Sequence, residues 1–533
     1  MASTTSKERP DAVGRPALLL GLIVFAVTAR ALGHDFVALD DAAWIVDNVR
    51  VQAGLSAESL RWAFETRYGG AWQPLVWMSY LLDRSLFGTD AVGFHATSLA
   101  LFTGAAVLFF VALRGWGLAT GTAFVVALAW AVHPVQVESY AWVAERKGVL
   151  AGFWFMAALA VHARSGGSGP RSRVLLFACM LLGLMAKSSL LSLPFVLLVV
   201  DRGRGVAWAM ALRRRIELLL LVPAFTWIGI TAQAEGGALR EVAVSTWQVV
   251  AASTAHALGS IVWPVGLSPV YATPPDGFGI VPVVVGIVLV VGLSTGAWFV
   301  RRRLPWVAAG WIAFLLTWLP FSGVVGVGGH FTADRYLLLP WAGLALALVV
   351  GAKALSERAT GRGPLVAAVL VLLAWGGLSI RQNGLWSDSV TLFTHARSVD
   401  PEDHLAAYWL GESWRRAGDP GRAVEHYAAA RTLMPSYDLA WFQEGLLLLQ
   451  MRRGAEAVHA LEQYLAQRPH QFKGWMNLGA AYGQIGRLPD ALRCFERAVE
   501  IAPDDRRARA NRDRARELLS RRGRHDGAPG SGN

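Results

Sequence analysis

Two adjacent carboxylates, Asp40 and Asp41, close the run Phe36-Val37-Ala38-Leu39-Asp40-Asp41 just after the first apolar stretch of the chain. Acids at a membrane boundary are costly to desolvate, so a pair there points to chemistry, foremost the removal of a proton from an attacking hydroxyl. The plainer alternative is a helix N-cap ahead of Ala42-Ala43-Trp44-Ile45, although a cap needs only one acid. Glu138 follows His133-Pro134, and Glu145-Arg146-Lys147 comes two helical turns later, so on a short helix the two glutamates share a face; a solvated connector would look the same. Lys187, in Met185-Ala186-Lys187-Ser188-Ser189, sits between two apolar runs. It either snorkels to the interface or meets an anion such as a lipid phosphate. Asp334-Arg335-Tyr336 comes after the glycine-rich stretch 323–329. Arg335 can hold a phosphate bidentately, or it can pair with Asp334 at a helix start.

Other chemistries lack their residues. There is no P-loop, no dinucleotide fingerprint and no H-E-x-x-H in the chain. Cys179 and Cys494 are the two cysteines, one in an apolar run and one in a charged segment, and no Cys/His cluster has zinc spacing. The net charge of +12 is carried mostly by short loops between apolar runs. That distribution sets membrane orientation and does not suit a nucleic-acid partner.

The elements that must position these residues are mostly membrane spans. Of 533 residues, 54% are hydrophobic and only 17% charged, against roughly 25% charged in soluble domains. A first span is expected at 16–32, in preference to a signal peptide ending near Ala29-Arg30-Ala31. Ten more follow at 94–113, 117–132, 149–163, 173–186, 189–200, 216–232, 280–299, 304–322, 336–352 and 364–380, giving about eleven. The stretch 242–263 reads as re-entrant or interfacial, broken at Trp263-Pro264. Were it to span, Arg301, Arg302 and Arg303 would change sides, against the positive-inside rule. An odd count puts the N-terminus in the cytoplasm and the C-terminal end in the periplasm or outside the cell. The cytoplasmic, or inner, membrane is the expected location. The segment 33–93, rich in acids and aromatics, becomes the first outer loop.

The last third is a repeat. Gly411, Gly445 and Gly479 stand 34 residues apart, as do Ala423, Ala457 and Ala491, and Pro435, Pro469 and Pro503. Tyr427, Leu461 and Phe495 fill one further position of the same period. This is the tetratricopeptide (TPR) pattern, in which a small residue lets two helices touch, a larger one plugs the gap and a proline ends the second helix. The expected organisation is a cytoplasmic N-terminus at 1–15 and a polytopic membrane domain at 16–381. A linker follows at 382–403, then three repeats at 404–505, a capping helix at 506–521 and a disordered tail at 522–533. The fold class is all-α: a polytopic membrane domain followed by a C-terminal TPR α-solenoid.

At this level of detail the chain resembles the transmembrane and TPR-containing protein O-mannosyltransferases and their bacterial relatives, which are type C glycosyltransferases. The resemblance rests on Phe36-Val37 leading into Asp40-Asp41, Val51-Gln52-Ala53-Gly54-Leu55, Trp72-Gln73-Pro74-Leu75 and Leu86-Phe87-Gly88. It continues through His133-Pro134-Val135 with Glu138, Ala144-Glu145-Arg146-Lys147, Met185-Ala186-Lys187, Trp263-Pro264 with Tyr271, and Ala333-Asp334-Arg335-Tyr336. It implies transfer of a mannose-like sugar from a polyprenyl-phosphate carrier in the membrane to a protein hydroxyl on the outer face. Asp40 or Asp41 would act as the base in a single inverting displacement. Arg146, Lys187 and Arg335 would hold the lipid phosphate, with Glu138 and Asp334 as supporting acids. The TPR groove would engage the acceptor protein or peptide, or another partner. The chain departs from the pattern at Gly148 and Ala42, where relatives often carry acids. Both departures argue against a divalent metal, because two carboxylates alone are a poor cage. The alternative reading is a catalytically idle, membrane-anchored TPR scaffold.

Overall fold

Long apolar runs divided by Pro and Gly can satisfy their backbone as helices, and helices account for the regular structure among the described residues. The computed structural model describes residues 11–166, 168–235, 244–274, 276–324, 330–357 and 362–526. Among these the sole β pairing is an isolated bridge between Ala272 and His330. Residues 1–10, the glycine-rich part of 325–329, the first residues of the 242–263 stretch and the tail from 527 lie outside the described residues. The chain forms two units, Met1–Val399 and Asp400–Asn533.

Among the described residues of the first unit six helices are long and apolar enough to cross a membrane: Val13–Gly33, Ala91–Gly115, Val143–Ser165, Ile216–Glu235, Ile280–Val300 and Gly363–Leu385. A seventh is reached if Thr120–Val132 and Pro134–Ala141, bent by 57° against each other, count as one broken span. Pro305–Phe321 and Pro340–Ser356 are shorter apolar helices. The expected eleven also included 173–186 and 189–200, where the helices are Pro170–Leu184 and Leu193–Gly203. At 1.5 Å per residue these rise about 22 Å and about 17 Å, short of a bilayer core of roughly 30 Å. Thr246–Val262 is a helix that stops at Trp263-Pro264.

Small residues let these helices approach closely, which is how apolar helices gain packing energy where water provides no drive. A Cβ on Gly310 would lie 2.4 Å from the carbonyl oxygen of Gly343, and one on Gly343 would lie 2.6 Å from that of Gly310. Pro305–Trp318 and Pro340–Ser356 therefore meet backbone to backbone. A Cβ on Gly115 would sit 2.7 Å from that of Ala163, so Ala91–Gly115 and Arg146–Ser165 are similarly close.

The second unit pairs His404–Arg416 with Pro420–Leu433, Asp438–Gln450 with Gly454–Gln467, and Phe472–Gln484 with Leu488–Ile501, followed by Arg506–Asp526. The 34-residue spacing has a physical counterpart at each pair. A Cβ on Gly411, Gly445 or Gly479 would lie 2.8, 2.7 or 2.6 Å from the side chain of Tyr427, Leu461 or Phe495 respectively. Trp441 Nε1 donates to the Pro435 carbonyl at 2.9 Å, and Trp475 Nε1 repeats the bond to Pro469 at 2.8 Å. Gly479→Val is therefore expected to overpack the third pair and cost about 1–3 kcal/mol. Hydrogen exchange should accelerate across Phe472–Ile501 while Arg146–Ser165 keeps its protection; unchanged exchange in the third pair would refute the packing argument.

Candidate active site

Four chain segments build the site. The first runs from His34 through a turn at Ala38-Leu39, anchored by Asp35 N–H donating to the Ser387 carbonyl at 3.0 Å and Ala38 N–H donating to Ser389 Oγ at 2.7 Å. It ends at Asp40-Asp41, after which Ala42–Val46 forms one π-helical turn. Asp41 precedes that turn but its carboxylate makes no bond into it. Instead Oδ2 accepts from Val37 N–H at 3.0 Å and Oδ1 accepts from Ala144 N–H at 2.7 Å. The capping alternative does not describe this acid.

The second segment is the break at His133-Pro134. Proline removes a donor and drives the residue before it out of the helical region. His133 accordingly sits at φ −73°, ψ 135°. Its Nδ1 accepts from Val135 N–H at 3.3 Å, so its Nε2 carries the proton and donates to the Ile261 carbonyl at 3.0 Å. The chain then turns through Val137–Ala141 and Val143–Glu145 before Arg146–Ser165 begins. This brings Glu138 and Glu145, both buried, to one place. The third is Lys187, just ahead of the Ser188–Ser192 turn, and the fourth is the turn Asp334–Leu337.

The side chains form a chain of charges. Arg335 pairs with Glu138 through its guanidinium, and its backbone N–H donates to the other Glu138 oxygen at 2.8 Å. Arg335 Nε lies 3.7 Å from Glu145 Oε2. Glu145 Oε1 accepts from Lys187 Nζ, while Lys147 Nζ stands 3.9 Å from Oε2 and 3.7 Å from Asp40 Oδ2. Aromatic rings wall the cations: Trp44 and Trp142 lie 4.2 and 5.6 Å from Lys147 Nζ, and Trp142 and Tyr336 each lie 5.1 Å from the Arg335 guanidinium. Ring faces favour cations, the more so where water is scarce. Gly148 belongs to the design, since a Cβ there would stand 2.3 Å from Glu145 Oε1. Gly69, at φ +71°, likewise leaves room for the Trp44 indole, which a Cβ there would meet at 2.9 Å.

Burial tunes the groups outside the spans. It pushes Asp41 up to about 7, against the Val37 and Ala144 N–H groups and Arg146, and with help from Asp40. Burial also lowers Lys187, with Glu145 opposing. For Arg335 burial works downward, but Glu138, Tyr336 and Glu145 together outweigh it and the guanidinium stays charged. Asp334 is raised by burial and by the nearby Glu138, with Tyr271 opposing.

Of the residues singled out from sequence, Asp40, Glu138, Lys187 and Arg335 share this cluster, and Asp41 ties into it through backbone. Asp334 turns away: Tyr271 Oη donates to it at 3.0 Å, so Arg335 pairs with Glu138 and not with its neighbour in the chain. Arg146 also turns away. It is fully buried, paired with Asp83, donates to Ser98 Oγ at 3.2 Å, and lies under the Tyr80 and Phe94 rings. Lys147, one residue on and about 100° around the helix, takes the place given to Arg146. Glu145, Trp142 and Tyr336 are further members of the cluster. The signal for them was the run Glu145-Arg146-Lys147 itself, in which three charged residues at a helix start leave the choice of inward face open. Among the described residues no group of three or more His, Cys, Asp or Glu side chains converges as a metal cage. The acids of the cluster face cations instead.

Comparison with known proteins follows the same division. The tetratricopeptide repeat family model matches residues 377–438 and 442–506. The protein O-mannosyl-transferase TMTC1 of Homo sapiens is 24% identical, over 81% of this chain and 57% of its own length. A protein O-mannosyl-transferase of Caenorhabditis elegans is 23% identical, over 82% of this chain and 65% of its own. The chain thus spans about three fifths of the length of these relatives. Over most of its length, repeats included, the chain is thus similar to the transmembrane and TPR-containing protein O-mannosyltransferases.

Proposed function

We propose that the chain is an integral membrane glycosyltransferase that moves a mannose-like sugar from a polyprenyl-phosphate carrier to a protein hydroxyl on the outer face of the membrane. The observation that carries this reading is the contact between an accessible acid and a group of cations. The Asp40 side chain is 42% exposed and lies 3.7 Å from Lys147, which joins Lys187 and Arg335 around Glu145. A carboxylate in that position can take a proton from an acceptor hydroxyl, and cations beside it can stabilise a departing phosphate.

In this mechanism the acceptor oxygen attacks the anomeric carbon as its proton passes to Asp40. The bond between the anomeric carbon and the phosphate oxygen breaks, and its electron pair leaves with the polyprenyl phosphate. One displacement inverts the anomeric centre. Lys147, Lys187 and Arg335 receive the phosphate charge; Glu138 and Glu145 hold those cations in register before the donor arrives. Arg146 and Asp334 support the scaffold on which the cluster is built. The N-terminus and the arginine-rich loops then belong to the cytoplasmic side of the inner membrane, and the repeats to the outer side, where they engage the acceptor or a partner.

Mass spectrometry of envelope proteins from cells with and without the chain tests this reading. Hexose on Ser or Thr should disappear with the chain and return with the wild-type sequence. Identical glycans in both cells would leave the chain as a membrane-anchored TPR scaffold.

A further inference from the structure

We infer that Asp41 is a positioning residue that sets the distance between the proton-accepting Asp40 and the phosphate-binding Lys147, by bridging the loop of the first to the backbone that leads into the second. The inference rests on the transferase reading above and goes beyond it, because an acidic pair there reads at first as two candidates for one role.

The two acids differ in almost every respect. Asp41 is 1% exposed, against 42% for the Asp40 side chain. Both Asp41 oxygens are engaged by backbone N–H groups, Val37 at 3.0 Å on its own loop and Ala144 at 2.7 Å across 103 residues of sequence. Those contacts leave it poorly placed to meet an acceptor hydroxyl. They leave it well placed to hold two backbones together. Asp40 is the residue next to it on one side of the bridge, and Lys147 stands three residues beyond Ala144 on the other. Trp44, in the turn that Asp41 precedes, lies over the Lys147 ammonium at 4.2 Å. A single carboxylate therefore controls both the acid and the aromatic face that meet Lys147.

The bridge needs an ionised carboxylate. A carboxylate presents acceptors to both N–H groups; a carboxylic acid carries a proton of its own where only donors face it, so one arm loosens. The charged groups around it are Asp40 on its own loop, Arg146 on the helix beyond Ala144, and the Tyr80 hydroxyl on Pro74–Phe87. With the folded value near 7, the bridge is present above that pH and is lost as pH falls through it. Small misplacements of reacting groups can cost about a hundredfold in rate.

The test compares pH profiles of sugar transfer for the full-length wild type, Asp41→Asn and Asp40→Asn, each purified in lipid with a synthetic polyprenyl-phosphate sugar and a Ser/Thr peptide. The wild type should lose kcat as pH falls through about 7. Asp41→Asn keeps one acceptor and faces the other N–H with an amide N–H₂. It should lower kcat by about a hundredfold at every pH, abolish the inflection and leave donor binding unchanged. If that variant does not fold, Ala144→Pro, which removes the donor of the long arm and also restricts Val143 before it, should give the same loss with Asp41 intact. An Asp41→Asn or Ala144→Pro enzyme that keeps wild-type kcat and the wild-type inflection overturns the inference, as does a variant that loses thermal stability alone. Full activity in Asp40→Asn would overturn the assignment of the base, and no transfer by the wild type would overturn the transferase reading itself.

Discussion

Asp40→Asn is expected to lower sugar transfer by about two to four orders of magnitude, the usual contribution of a positioned general base. Asparagine keeps the shape of the side chain and removes its charge, so the loop anchored through Ser387 and Ser389 should stay in place. Binding of the carrier phosphate should persist or tighten, since Lys147 loses the anion 3.7 Å away and is freer to meet the phosphate. A calorimetric titration with polyprenyl phosphate, alongside a single-turnover transfer assay, separates the two effects. Loss of both binding and transfer would make Asp40 part of the donor site; an Asn variant as active as the wild type would remove it from the chemistry altogether.

The second large effect concerns the pair between Glu138 and Arg335. Glu138 is 3% exposed, and the Arg335 side chain is 11% exposed. Removing Glu138 leaves Arg335 with the more distant Glu145, 3.7 Å from its Nε, in a poorly hydrated place, at a cost of up to about 3–5 kcal/mol. Glu138→Ala should therefore lower the melting temperature markedly as well as abolish transfer. Replacing both residues, Glu138→Leu with Arg335→Met, should recover most of the stability, because a packed apolar pair often matches a buried ion pair. It should recover none of the activity, since the cation is gone. A single variant that melts like the wild type would show that water compensates Arg335 and that the pair is not desolvated. Recovery of transfer in the double variant would exclude Arg335 from phosphate binding.

The sequence carries some of this structure and conceals the rest for specific reasons. The repeats are legible because each glycine and its plug are set by contact between neighbouring helices, which imposes a fixed period on the sequence; Gly445 against Leu461 is one such contact. The acidic pair is legible as a feature, because carboxylates at the end of a spanning helix are costly without a task. Its division of labour is not, since exposure depends on Ala144 donating to Asp41 from 103 residues away. The same limit explains the choice between Arg146 and Lys147. Both open one helix, and which points to the cluster depends on Asp83, Ser98 and the Phe94 carbonyl drawing the guanidinium to the other side. Asp334 and Arg335 are neighbours in sequence, yet Arg335 finds its acid 197 residues away because adjacent residues on a tight turn point in different directions. Helix lengths such as the 15 residues of Pro170–Leu184 depend on where Lys187 and the turn after it interrupt the apolar pattern, which hydropathy alone does not locate.

The most direct test of the central claim is transfer by the purified full-length chain from a synthetic polyprenyl-phosphate sugar of known anomeric configuration to a Ser/Thr peptide, with the product linkage read by NMR. The account predicts a glycopeptide with inverted anomeric configuration, formed by the wild type and absent with Asp40→Asn. A retained configuration, or equal product from both proteins, would contradict it.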